Sequence, residues 1–377
     1  MRQIFYQFML PGLVFQSVVI GGGYATGREL VEFFLTNGPL GGLLGLVVTT
    51  VLWSLILLLT FELARMTGAL DYRAFFRHLL GRFWFLYEIP FFLLAFLILS
   101  VLGSAAGNIV SQSLGLPELF GIVGLMAAIA WLSFQKSTII EKLMAGWAFV
   151  LYIAYSVLII WGATAFHEEI FANFSAAPPP GNWFENGFKY ATYNIAAIPA
   201  VLFALGHLEN RKQAFGAGLL GGPLAILPAV FLFIVMVAFY PDINSTAVPL
   251  THILGKLDVP WFSLVFQIVI FGTFIQTGTA LIHMLNERID HTLQEQNKKM
   301  PQNLRPVIAL AVSGAAVFLA AKVGIIDLIA QGYGLLTWGF LAAYIVPIMT
   351  VGAYKIFLFS ENDFPVTQQL EKIKNDD

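Results

Sequence analysis

Apolar residues run through this chain in long blocks, separated by short polar or glycine- and proline-rich punctuation. The stretches 41–61, 89–101, 144–161 and 224–240 carry no charged side chain at all. A helix needs about 20 apolar residues to cross a hydrocarbon core, and the blocks recur at about that length. Their boundaries predict ten helical spans, over 8–33, 39–62, 83–115, 118–135, 141–164, 183–207, 214–240, 260–287, 304–321 and 325–357. The linkers have turn chemistry, as in Asn37-Gly38-Pro39, Gly115-Leu116-Pro117 and Pro178-Pro179-Pro180-Gly181. The first apolar segment has Arg2 before it and no small-residue cleavage site, so it reads as a retained helix rather than a signal peptide.

Composition excludes a soluble domain. Hydrophobic residues make up 58% of the chain and charged ones 11%, where a wet surface takes roughly a quarter charged. With the amino terminus inside, sixteen of the twenty Lys and Arg fall in cytoplasmic loops and ends. Positive charge marks that face, so both termini are expected in the cytoplasm. An odd number of spans would scramble this pattern. A net charge of −2 offers no field for nucleic acid, and with no cysteine there is no disulfide or thiolate chemistry.

The spans also fall into two series of five, whose starts are related by a nearly constant offset. Five is odd, so the second series must lie upside down relative to the first, a plan used by secondary transporters. The expected organisation is a first five-helix repeat over 1–165, a second, inverted repeat over 183–358, and a polar cytoplasmic tail over 359–377.

Candidate chemistry centres on two interruptions. The first span contains Gly21-Gly22-Gly23-Tyr24-Ala25-Thr26-Gly27-Arg28-Glu29. Each glycine costs a helix about 1 kcal/mol against alanine, and peptide groups freed in lipid must find partners in protein, water, ion or solute. Close helix packing would also use Gly21 to Gly23. The sixth span contains Tyr193, Asn194 and then Pro199, which removes an N–H and frees carbonyls near Ile195. A break in corresponding positions of two repeats points to a midplane binding site. Arg28, Glu29 and Glu32 lie toward the outer end of the first span and suit a gate, or an Arg28–Glu32 pair one turn apart. Gln331 and Tyr333 are gate candidates in the tenth span. Polar groups on the third span (Asn108) and the eighth (Thr273, Gln276, Thr277) suit either a hard cation or hydrogen bonds between helices. No catalytic set and no metal site beyond one for sodium stands out, and the chain reads as a non-enzyme.

The glycine-broken first span, the 194–199 segment and the Glu209-Asn210-Arg211-Lys212 that follows resemble the YkvI-type bacterial membrane proteins. These are similar in turn to the amino acid–polyamine–organocation superfamily, with its LeuT fold. The resemblance implies an all-α, five-plus-five inverted repeat with helices 1 and 6 broken, in the bacterial plasma membrane. It implies substrate contacts at Gly21, Gly23, Thr26, Asn108, Tyr193 and Asn194. A sodium site would use main-chain oxygens near Val19 and Gly22 with Thr273, Gln276 or Thr277. Sodium-coupled members often carry adjacent hydroxyls on the eighth helix, whereas here they are spaced as Thr273, Thr277 and Thr279. The expected function is alternating-access transport of a small organic solute, an amino acid or a related compound, driven by sodium or protons. No organic cofactor is implied, the bilayer and the solute are the expected partners, and oligomeric state is not legible. The rival expectation is a ligand sensor on the same fold, like a spore germinant-receptor membrane subunit.

Overall fold

The computed structural model describes residues 4–21, 24–133, 137–298, 300–301 and 304–358; within these, the side chains of 137–146, 148, 291 and 295 are not described. Gly22, Gly23 and the 359–377 tail therefore lie outside the described residues. Every regular element among those described is helical: α1 (Phe5–Val19), α2 (Arg28–Phe33), α3 (Gly38–Thr67), α4 (Tyr72–Leu80), α5 (Glu88–Leu114), α6 (Glu118–Ser133) and α7 (Ser137–Ala165). Then follow α8 (His167–Ser175), α9 (Trp183–Asn194), α10 (Arg211–Val237), α11 (Pro249–Leu257), α12 (Pro260–Glu295), α13 (Leu304–Lys322) and α14 (Ile325–Leu358), the last winding in α and π turns.

Six stretches among the described residues are long and apolar enough to cross a membrane: Arg28–Thr67, Tyr72–Leu114, Arg211–Val237, Pro260–Gln294, Leu304–Lys322 and Ile325–Leu358. The pair Phe149–Ala165 and His167–Ser175, bent by 71°, would make a seventh, and Phe5–Val19 and Glu118–Ser133 are shorter apolar helices.

The bundle is built inside out relative to a soluble protein. Along α3, Leu40, Leu44, Val47, Val51 and Leu55 form an exposed stripe, while Gly41, Gly45, Thr49 and Trp53 face inward. An apolar outer surface of this kind is stable only against lipid tails. Small inward residues let helix backbones approach closely, and buried hydroxyls tie the helices together. Thr49 Oγ1 donates to the Gly187 carbonyl at 3.0 Å, and Trp53 Nε1 to that of Ala191 at 3.0 Å, which fixes α9 against α3. α10 packs along α3 so closely that a Cβ on Gly218 would stand 2.3 Å from the Leu58 Cα.

Two prolines interrupt α10, and each frees the carbonyl four residues earlier. The structure supplies a donor to both. Ser54 Oγ of α3 donates to Leu219 O at 2.9 Å, the carbonyl released by Pro223. Gln16 Nε2 of α1 donates to Leu224 O, released by Pro228, and Tyr152 Oη donates to Gln16 Oε1 at 3.1 Å.

Candidate functional site

The first α-helix ends at Val19, and among the described residues that follow, the next begins at Arg28. Between them lie a short 3-10 turn over Tyr24–Thr26 and Gly27 at φ +79°. That left-handed conformation suits glycine, and a Cβ there would also meet the Met236 side chain at 2.2 Å. Freed peptide groups find partners nearby. Ala25 O accepts from Tyr155 Oη of α7 at 2.7 Å, and Thr26 Oγ1 accepts from the Arg28 N–H at 3.1 Å.

In the sixth predicted span, α9 tightens into 3-10 turns from Ile195 to Ala200 and again from Leu202 to His207. In 3-10 winding the Ala196 carbonyl would bond the N–H of residue 199, which is the proline. Tyr87 Oη donates to it instead, at 3.1 Å.

A cavity of about 650 Å³ lies against these two segments. Its inner end is formed by Gly21, Glu29, Tyr193, Asn194 and Tyr333, and Val19 also lines it. Phe91, Leu94, Ala95 and Ile98 of α5 make an apolar wall. Gln276, Thr277, Ala280 and Met284 of α12 face the same space, which continues past His283 to Glu287 and Arg288. Thr277 lies against the break, with its hydroxyl 3.3 Å from the place a Gly21 Cβ would take.

Not every sequence candidate reaches this space. Asn108 donates to Ser104 O at 3.1 Å and lies away from the cavity lining. The buried Thr26 is likewise outside the lining. Thr273 Oγ1 donates to Val269 O at 2.8 Å and accepts from Trp147 Nε1 at 3.3 Å, so its side chain serves the α7–α12 contact. Gln331 is exposed and bonds Asp327, one turn away at 3.4 Å, while Tyr333 is buried at the inner end of the cavity.

The gate candidates also separate. Arg28 is buried and turns from the cavity: Nη2 pairs with Glu32 Oε2 at 2.5 Å, and Nη1 donates to Asn244 O at 2.7 Å and Thr246 O at 3.1 Å. It thereby ties α2 to the loop between α10 and α11. Glu29, one residue on, enters the cavity, and its Oε2 accepts from Tyr193 Oη at 2.6 Å.

At the other end of the cavity, Arg288 Nη1 pairs with Glu88 Oε2 at 2.6 Å. Its guanidinium carbon stands 3.6 Å from the Phe91 ring centroid and 4.0 Å from that of Tyr72. Arg73 of α4 donates to Arg288 O at 3.0 Å and also bonds the Thr292 hydroxyl. Neither the Asn244–Thr246 loop nor this Arg288 cluster was legible from spacing, because the partners lie about two hundred residues apart in sequence.

The fold has counterparts among solved structures. The chain is similar in structure to MhsT in complex with L-phenylalanine, with a TM-score of 0.55 and 15% identity over 92% of this chain and 97% of that one. It is also similar to a mutant manganese transporter of Eremococcus coleocola, with a TM-score of 0.51 and 13% identity over 91% of this chain and 78% of that one. The fold is therefore of the LeuT type, in an all-helical membrane protein. In sequence the chain is 24% identical over 291 residues to the uncharacterized membrane protein YkvI of Bacillus subtilis (strain 168), spanning 76% of this chain and 82% of that protein. No protein-family profile matches it.

Proposed function

We propose that the chain is a secondary transporter that works by alternating access and carries a small organic solute across the bacterial plasma membrane. The observation that carries this reading is the asymmetry of the central cavity. It lies against the two interrupted helical segments; Glu287 and Arg288 line it at one end, whereas Arg28, bonded to the Asn244 and Thr246 carbonyls, is not among its lining residues. On this reading both termini are cytoplasmic, the Arg288 end faces the cytoplasm, and the form is inward-facing.

The same reading takes the chain as ten spans in two inverted repeats, 1–165 and 183–358, with the first and sixth spans broken. The order of elements supports it: the short helix α4 stands between α3 and α5 just as α11 stands between α10 and α12. Six long apolar helices, the bent pair and the two shorter apolar helices supply material for the spans. The L-phenylalanine bound by MhsT supports a solute of the amino-acid class. Gly21, Tyr193 and Asn194 would contact it, while Thr277 and Gln276, with the Val19 carbonyl, would serve a coupling sodium if one is used.

Reconstitution into proteoliposomes tests this. Labelled amino acids should accumulate above equilibrium under an inward sodium or proton gradient, and the matching ionophore should abolish the accumulation. Ligand binding by the purified protein without accumulation under either gradient would end the transport reading and leave a sensor.

A further inference from the structure

The chain from α4 to the start of α5 is basic, aromatic and firmly held. Between Tyr72 and Tyr87 it carries Arg73, Arg77 and Arg82 and no acidic residue. Asp71 caps α4 by accepting from the Arg73 and Ala74 N–H groups, and Phe75, Phe76 and Leu79 of that helix are buried. A 3-10 run over Gly81–Tyr87 follows. Its far end is pinned by Tyr87, which stacks on Phe76 and bonds the Ala196 carbonyl. Within it, the Trp84 ring holds both Arg73 and Arg77, whose guanidinium carbons stand 5.2 and 5.4 Å from the ring centroid.

The outward side chains on this platform are of two kinds. Arg77 and Arg82 are exposed. Arg82 stands 4.7 Å over the Phe83 ring and makes no ion pair among the described residues. Phe83, Phe85 and Leu86 are exposed as well, and the apolar strip continues along α5 through Ile89, Phe92 and Leu93. It belongs to Tyr72–Leu114, one of the stretches able to cross a membrane. Aromatic rings at the end of such a stretch sit at the level of the lipid headgroups.

Length and charge agree on what covers the strip. From Phe83 to Leu93 helical winding rises about 15 Å, half of a hydrocarbon core about 30 Å thick. An acyl chain of one leaflet therefore matches the strip, and its headgroup falls beside the arginines. Guanidinium groups match phosphate oxygens in geometry and charge. Two of them with no carboxylate on the same segment favour an anionic headgroup over a zwitterionic one, as basic segments at the cytoplasmic leaflet do.

We propose that Arg77 and Arg82 bind the phosphate of an anionic phospholipid, whose acyl chains lie along Phe83, Leu86, Ile89 and Leu93. The proposed topology places this lipid in the cytoplasmic leaflet; the site itself does not depend on transport.

Native mass spectrometry of delipidated full-length protein tests this with two phospholipids of identical chains, the anionic phosphatidylglycerol and the zwitterionic phosphatidylcholine. The first phosphatidylglycerol should bind about tenfold tighter than phosphatidylcholine or more. Arg77→Gln combined with Arg82→Gln should remove most of that preference and leave the phosphatidylcholine affinity in place. Glycerol 3-phosphate, the same anion without acyl chains, should not displace the lipid at millimolar concentration. Equal affinity for the two lipids on the wild-type protein overturns the proposal, with no variant needed. So does an unchanged preference in the double variant, and displacement by glycerol 3-phosphate would assign the arginines to a soluble anion instead. Accumulation of labelled amino acids in proteoliposomes is a separate readout, so the transport reading stands or falls independently of these results.

Discussion

Tyr87 reaches across the bundle to a carbonyl that Pro199 leaves without its 3-10 partner. Its ring is fully buried, stacked on Phe76 with centroids 3.9 Å apart, so Tyr87→Phe removes the hydroxyl and leaves the packing alone. An unpaired buried carbonyl costs about 1–3 kcal/mol. The variant should melt at lower temperature in detergent by a corresponding amount, and an unchanged midpoint would show that the carbonyl has another donor. Glu29 and Arg28 teach the same lesson in opposite directions. They are adjacent in sequence and point into different surroundings, one toward the cavity and one toward a loop more than two hundred residues away.

Prolines within the helices are tolerated because neighbouring helices supply the missing donors. Pro223 removes the N–H that would bond Leu219 O, and Ser54 replaces it from α3. Breaking that replacement should therefore depend on the proline. Ser54→Ala alone is expected to cost about 1–3 kcal/mol. In a Pro223→Ala background, where residue 223 regains its N–H, the same change should cost well under half as much. A double-mutant cycle on unfolding in detergent measures the coupling, and strictly additive losses would refute this account of the α3–α10 contact. The interruption between α1 and α2 follows the same rule: Tyr155 donates to the Ala25 carbonyl that the break exposes. Lipid offers no alternative donor, so each freed group needs a named partner.

For the whole molecule, the proposed inward-facing form predicts how the protein meets solvent. The chain has no native cysteine, so single introduced thiols report cleanly. Met284→Cys, facing the cavity on α12, should react with a membrane-impermeant maleimide added to the cytoplasmic face and resist it from outside. Ala25→Cys, fully buried behind the Arg28 ties, should resist from both faces. Adding Arg28→Ala removes the bonds to Glu32, Asn244 and Thr246. It should raise outside labelling of Ala25→Cys by shifting the population toward an outward-facing form. Outside labelling of Met284→Cys equal to that from the cytoplasm would contradict the inward-facing assignment.

The helical, membrane-spanning character of the chain was legible in advance because lipid leaves a coarse signature in long apolar runs. Glycine at 21–23 and Pro199 were read as interruptions because their effect is local to the backbone; among the described residues α1 ends at Val19 and 3-10 turns run over Ile195–Ala200. Pairings between distant segments left no such mark. Asn108 read as a substrate contact like Asn194, and Gln331 as a gate residue like Tyr333, yet only Asn194 and Tyr333 line the cavity. A side chain's direction depends on which helix lies against it, and that is settled by shape and by the pairing of every buried polar group across the bundle. Local spacing carries no record of it.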